Sequence, residues 1–336
     1  MADNVTASAD ASSATSSGPA AGATRQGRPA AGQSAGGRRA AHSDLRKRLE
    51  IAFFVAPALG LFVLFVVWPV ITAVQMSMFR WNGIGPLENF VGLDNYARVL
   101  NSDVFIGSLV NNLIIVASSI AIQLPLGLAI ALLLNRRMWG QGLLRTIIFM
   151  PYVLAEVVAG VIWFQLLQPQ YGVIDTLLEA IGLTPPPQGW LGDMDLALWT
   201  IIVILTWKYI GLAVILFLAG LQGVPDELYE AAQLDGASWW QVQRKITIPL
   251  LGPTIRTWAF LSMIGSLQLF DMVWIMTRGG PANATSTMAI FLVNEGTNRA
   301  NFGIAGAASV VLFFIALVFA VLYQQLIMKR DTKGGA

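Results

Sequence analysis

Long apolar runs separated by short polar ones make up most of this chain. From residue 51 onward, hydrophobic segments recur at about 51–78, 107–134, 145–168, 196–221, 254–276 and 303–327. Each meets the roughly 20 residues that a helix needs to cross a bilayer. The pattern predicts an all-α membrane protein with six transmembrane helices. Pro57, Pro69, Pro125 and Pro151 begin or interrupt these runs, which a bundle tolerates when neighbouring helices re-satisfy the backbone. Residues 1–48 contrast sharply, being rich in Ala, Gly, Ser, Arg and Gln and nearly free of large apolar side chains. Too little surface is available there to offset ordering entropy, so a disordered, basic cytoplasmic tail is predicted. The apolar run after it starts too late and extends too far for the h-region of a signal peptide.

Composition agrees with the pattern. The 336 residues are 55% hydrophobic and 12% charged, with a mean hydropathy of +0.63, whereas soluble domains carry about 25% charged residues. Cysteine is absent and His42 is the sole histidine, so thiol chemistry, disulfides and a metal site are not expected. No GxxxxGK phosphate loop occurs; if ATP drives this protein, another chain must bind it.

Charge sets the orientation. With the N-terminus inside, the inner segments hold 16 of the 21 Lys and Arg: seven in the tail, then Arg136, Arg137, Arg145, Arg244, Lys245, Arg256, Lys329, Arg330 and Lys333. The outer segments hold four, Arg80, Arg98, Arg278 and Arg299, and Lys208 is inside a span. This excess places both termini in the cytoplasm. The cluster Arg38, Arg39, Arg46, Lys47 and Arg48 reads as a basic flank facing membrane lipid; a nucleic-acid tail has no other support.

One polar stretch among the spans is organised. Pro225 to Pro249, within a loop at 224–250, reads PDELYEAAQLDGASWWQVQRKITIP. Pro225 suits a first helical position, and Leu228, Ala231, Ala232 and Leu234 fall near one side of the helix after it. Gly236 can take the left-handed conformation that closes a helix. Ser238 with Gln241 matches a capping box opening a second helix, which Pro249 is expected to stop.

This stretch resembles the cytoplasmic "EAA" loop in permease subunits of binding-protein-dependent ABC importers. Glu230, Ala231 and Ala232 precede Gln233, Leu234, Asp235 and Gly236, and nine residues later come Ile246, Thr247, Ile248 and Pro249. Only Ile248 departs from the pattern, standing where the family has Leu. The likeness extends to Phe90–Leu100, to Arg145 with Met150, Pro151 and Tyr152, and to Phe270, Asp271, Thr277, Gly279, Gly280 and Pro281. It thus covers about residues 51–327 and is nearest the maltose- and glycerol-phosphate-type carbohydrate importers, in the role of the first permease. The resemblance implies the type I ABC importer transmembrane fold, with its core at 107–327. It also implies a second homologous permease, two ATP-binding subunits and an external substrate-binding protein. In that family Glu230, Ala231, Ala232, Asp235, Gly236, Ile246 and Pro249 would couple the permease to the ATPase. The chain would not itself be an enzyme, and its substrate would be a neutral sugar, with glycerol-3-phosphate the alternative. An ion-driven secondary transporter would want carboxylate relays and inverted repeats, which are not evident, and a membrane enzyme lacks candidate chemistry.

Ionisable groups inside spans are costly and usually face a bundle interior or cavity. Glu156 and Lys208 both fall near mid-depth, and Asp271 nearer the outer face. Two readings are open for the first two residues: a structural ion pair, or a lining of the substrate path. Sugar recognition also wants flat apolar faces, for which Trp163, Trp207, Phe270 and Trp274 are candidates, with Gln268 as a polar partner. Interfacial anchoring is the alternative for Trp163 and Trp274, and interhelical hydrogen bonding is the alternative role for Gln123. Asp271 could instead order Thr277–Pro281. Gly303, Gly306, Ala307 and Ala308 are expected to let the last span pack closely.

Overall fold

A computed structural model describes residues 50–136 and 138–328. The tail at 1–48, Arg137, Lys329, Arg330 and Lys333 lie outside the described residues. The described residues divide into two units, with the boundary between Phe62 and Val63. Residues 50–62 of the first are helical with exposed side chains, and the Phe53 and Phe54 rings meet edge to face at 5.9 Å.

The second unit is helical throughout its long segments. After a π turn at Val63–Val67 come α1 (Trp68–Ser77), α2 (Asp94–Leu100) and α3 (Asp103–Leu134). They are followed by α4 (Gln141–Val153), α5 (Glu156–Leu166), α6 (Val173–Ala180) and α7 (Ala197–Leu221). Next are α8 (Asp226–Leu234), α9 (239–250) and α10 (Gly252–Leu267). The last are α11 (Asp271–Met276), α12 (Met288–Val293) and α13 (Phe302–Met328).

Four helical stretches among the described residues are long and apolar enough to cross a membrane: Glu50–Ser77, Asp103–Leu134, Ala197–Leu221 and Phe302–Met328. The run expected at 145–168 is two helices, α4 and α5, bent by 97° at their junction; taken as one broken span it makes a fifth. The run expected at 254–276 is not one helix. It stops at Leu267 and resumes at Asp271. Neither break falls on glycine; Pro151 lies in the last turn before the first, and Gln268 stands in the second.

Helix α7 is the axis of the bundle. Ile201, Ile204, Val214 and Phe217 on it are fully buried. Gly211 lets α4 come so close that an added Cβ would lie 2.8 Å from the Ile148 carbonyl oxygen. One apolar cluster joins α3, α7 and α10 around Phe217 and Trp258, and another joins α5, α7 and α11 around Ile201 and Met272. The small residues of α13 serve close packing, as expected. A Cβ on Gly303 would meet the Phe79 carbonyl oxygen at 2.0 Å, and one on Gly306 would meet that of Ala73 at 2.9 Å. Ala307 and Ala308 are buried against Phe105, Met288 and Phe291.

Candidate functional site

The polar stretch folds as two short helices about a glycine. Pro225 is the cap of α8 and not its first residue, because its extended ψ of 134° keeps it outside the helix. Gly236 has φ +71°, with its N–H on the Gln233 carbonyl at 3.0 Å and the Ala237 N–H on that of Ala232 at 2.9 Å. This is the paired-bond helix ending that a left-handed residue makes. Ser238 and Gln241 form the capping box in both directions. Pro249, however, does not stop the second helix, which runs on to Leu250. A π turn at Gln243–Thr247 widens the ladder just before it, accommodating a residue without an N–H. Tyr229 ties the two helices through its hydroxyl, 3.3 Å from Thr247 Oγ1.

The apolar side expected on α8 is only partly buried. Ala232 is buried, but Ala231 is exposed and Leu234 is 89% exposed. On the adjoining helix Trp240 is 75% exposed. Glu230, Asp235, Gly236 and Pro249 are also exposed, and Ile246 is half-buried. The Arg136 guanidinium stacks over Trp239 at 4.9 Å, joining the α3–α4 connection to this loop.

The break between α4 and α5 holds the buried cation. Leu154 and Ala155 are both extended, with ψ of 140° and 142°, so the last carbonyls of α4 lack helical partners. Lys208, 2% exposed on α7, supplies the donors. Its Nζ bonds to the carbonyls of Pro151 at 2.9 Å and Tyr152 at 3.0 Å, and to that of Leu154. An ammonium has three N–H donors, and each finds an acceptor. Glu156 opens α5, where the helix dipole favours a negative charge, and its Oε1 accepts from the Tyr209 hydroxyl. The ion pair considered between Glu156 and Lys208 is therefore not formed. Each charge is matched by the helix end nearest to it.

A cavity of about 400 Å³ lies beside this break, within the usual size range of ligand pockets. Its walls come from α3, α4, α7 and α10, and its polar groups are Ser119, Gln123, Tyr152, Thr206, Tyr209, Ser262 and Ser266. No ionisable Asp, Glu, Lys or Arg lines it. A π turn spans Ser119–Gln123, and both end residues line the cavity. Gln123 does not bridge helices: its Oε1 accepts from Ser119 on its own helix at 3.2 Å, while Ser119 reaches Ser262 on α10.

The sequence candidates for the substrate path lie outside the cavity, Glu156 and Lys208 at the α4–α5 break and Gln268 and Asp271 at the α10–α11 break. Glu156, Trp207, Lys208, Gln268 and Asp271 are all absent from its lining. Trp163 and Trp207 pack edge to face at 5.3 Å, and Phe270 stacks on Trp274 at 5.4 Å. Asp271 and Gln268 are exposed. The Thr277–Pro281 segment is ordered by Thr285, whose Oγ1 lies 2.7 Å from both Thr277 Oγ1 and the Gly280 carbonyl. The lining serines and threonines carry no sequence signal, because hydroxyls at helical spacing also serve packing. Of the lining residues, Gln123, an amide inside an apolar run, and Tyr152, within the family-like Arg145–Tyr152 stretch, carry a sequence signal.

Residues 123–333 match the family described as binding-protein-dependent transport system inner membrane component. The trehalose/maltose transport system permease protein of Thermococcus litoralis is 34% identical over 80% of this chain and 90% of its own length. The lactose transport system permease protein of Rhizobium radiobacter is 35% identical over 87% and 98%. A chain from the crystal structure of a bacterial ABC transporter involved in alginate import superposes with a TM-score of 0.76. It shares 23% identity, and the match covers 85% of this chain and 98% of the other.

Proposed function

The chain belongs to the binding-protein-dependent transport system inner membrane component family, and from that premise we propose that it forms half of the translocation path of an ATP-driven sugar importer. As a family member it is a multi-pass permease component of an ABC transporter, not the ATPase. The finer reading gives it six crossings with both termini cytoplasmic. A second homologous permease, two ATP-binding subunits and an external binding protein complete the machine, and the ATP-binding subunits hold the nucleotide.

The observation that carries the sugar reading is the chemistry of the cavity. Hydroxyls and one amide both donate and accept hydrogen bonds, as a polyol requires, and Tyr152, Tyr209 and Trp258 add flat apolar faces. A phosphate ester would want a cation, and the lining has none. The names of the maltose- and lactose-related proteins support the same class.

Coupling is read from α8 and α9. Leu234 and Trp240 are exposed large apolar groups on a stiff, doubly capped turn, and such groups mark contact surfaces. We assign that surface to the ATP-binding subunit, with Glu230, Ala231, Ala232, Asp235, Gly236, Ile246 and Pro249 forming or shaping it. Closure of the ATPase pair would move this loop, and α9 passes into α10 with only Leu251 between them, so the motion reaches a cavity wall directly.

Reconstitution of the purified complex in proteoliposomes tests this. ATP hydrolysis stimulated by one sugar with its binding protein, together with sugar accumulation, is expected. A chain that purifies alone and moves solute without ATP overturns the reading.

A further inference from the structure

Lys208 sits where substrate in the cavity cannot touch it, yet it grips the cavity's wall. Its ammonium is used up on the carbonyls of Pro151, Tyr152 and Leu154, and the residue is 2% exposed. Two of those carbonyls belong to the last turn of α4 and the third to Leu154 just past it, and that turn carries Tyr152, which borders the cavity. Tyr209, the next residue on α7, borders the same cavity, and its hydroxyl donates to Glu156 across the break. Two consecutive residues of one helix thus hold the two sides of the α4–α5 junction. The tyrosine rings lie 5.8 and 5.9 Å from the Lys208 ammonium and 6.4 Å from each other.

We propose that Lys208 is a positioning residue for the cavity, setting the α4–α5 break and through it the two tyrosines that border the cavity. The role needs a compact charge with three divergent donors. A guanidinium presents its donors in a rigid plane and would reach only some of the carbonyls; a thioether would reach none. The inference rests on the reading of the cavity as part of the translocation path.

The test uses the full reconstituted complex and reads sugar transported per ATP hydrolysed. This ratio does not depend on how much complex assembles, so a merely structural role leaves it unmoved. Lys208→Met is expected to lower it about tenfold, and Lys208→Arg to fall between that variant and the wild type. If Lys208→Met fails to assemble, Lys208→Gln, which keeps two donors, takes its place with the same direction of change. A wild-type ratio in any assembled neutral variant overturns the proposal. Thr206→Leu separates the two readings, because it narrows the cavity while leaving Lys208 in place. A lowered ratio in Thr206→Leu with an unchanged one in Lys208→Met sinks only the positioning role. An unchanged ratio in Thr206→Leu sinks the path reading and this inference with it.

Discussion

The fully buried Asn112 side chain on α3 uses both ends of its amide. Nδ2 donates to the Ser266 carbonyl at 2.7 Å, capping the end of α10, and Oδ1 accepts from the Met288 N–H at 2.9 Å, capping the start of α12. Its neighbour Asn111 donates to the carbonyls of Ala284 and Ser286 at 3.0 and 2.9 Å. Like Lys208 at the end of α4, these groups satisfy backbone that a broken helix leaves open. Asn112→Leu orphans the buried Met288 N–H, at a cost of about 1–3 kcal/mol, while the Ser266 carbonyl keeps the Leu269 N–H. We expect a clear drop in the thermal unfolding midpoint of the detergent-purified chain. An unchanged midpoint in Asn112→Leu would mean that these bonds contribute nothing net.

At the scale of elements, the α8–α9 pair was legible in the sequence because its turn is fixed by backbone chemistry. Gly236 takes a positive φ, and Ser238 with Gln241 closes the capping box; both signals are local. The breaks after Val153 and Leu267 were not legible. Their carbonyls are satisfied by Lys208 and Asn112, residues distant in sequence. The same reason hid the cavity, whose polar lining is assembled from single hydroxyls on separate helices. The local character of the turn makes a prediction. Nothing lies within 4 Å of a Cβ at Gly236, so substitution there is opposed by backbone strain alone, about 1–3 kcal/mol for a residue held in the left-handed region. Gly236→Val should therefore leave the chain in the membrane while sugar uptake falls at least tenfold. Gly236→Asn, which tolerates this conformation better, should retain more uptake. Full uptake by the valine variant, measured beside its membrane level, would remove the turn from the coupling mechanism.

For the molecule as a whole, the question is which way it faces. Arg136, Arg145, Arg244, Lys245 and Arg256 belong to the segments read as inner, and the Arg136–Trp239 contact joins two of those segments. On the segments read as outer, Arg80 and Arg98 pair with Asp94 at 3.8 and 2.9 Å, and Arg299 pairs with Glu295. Acidic neighbours contribute little to orientation, so these pairs leave the Lys and Arg count as the orienting signal. The sequence lacks cysteine, so single introduced thiols report topology without background. Thr184, in the exposed connection between α6 and α7, and Asn135, in that between α3 and α4, are both solvent-accessible. Thr184→Cys should react with a membrane-impermeant maleimide on cells whose inner membrane is intact but whose outer surface is accessible. Asn135→Cys should react only once that membrane is permeabilised. Reversal of the two would place α8 and α9 outside, away from any cytoplasmic ATPase, and the coupling role would fail with the orientation.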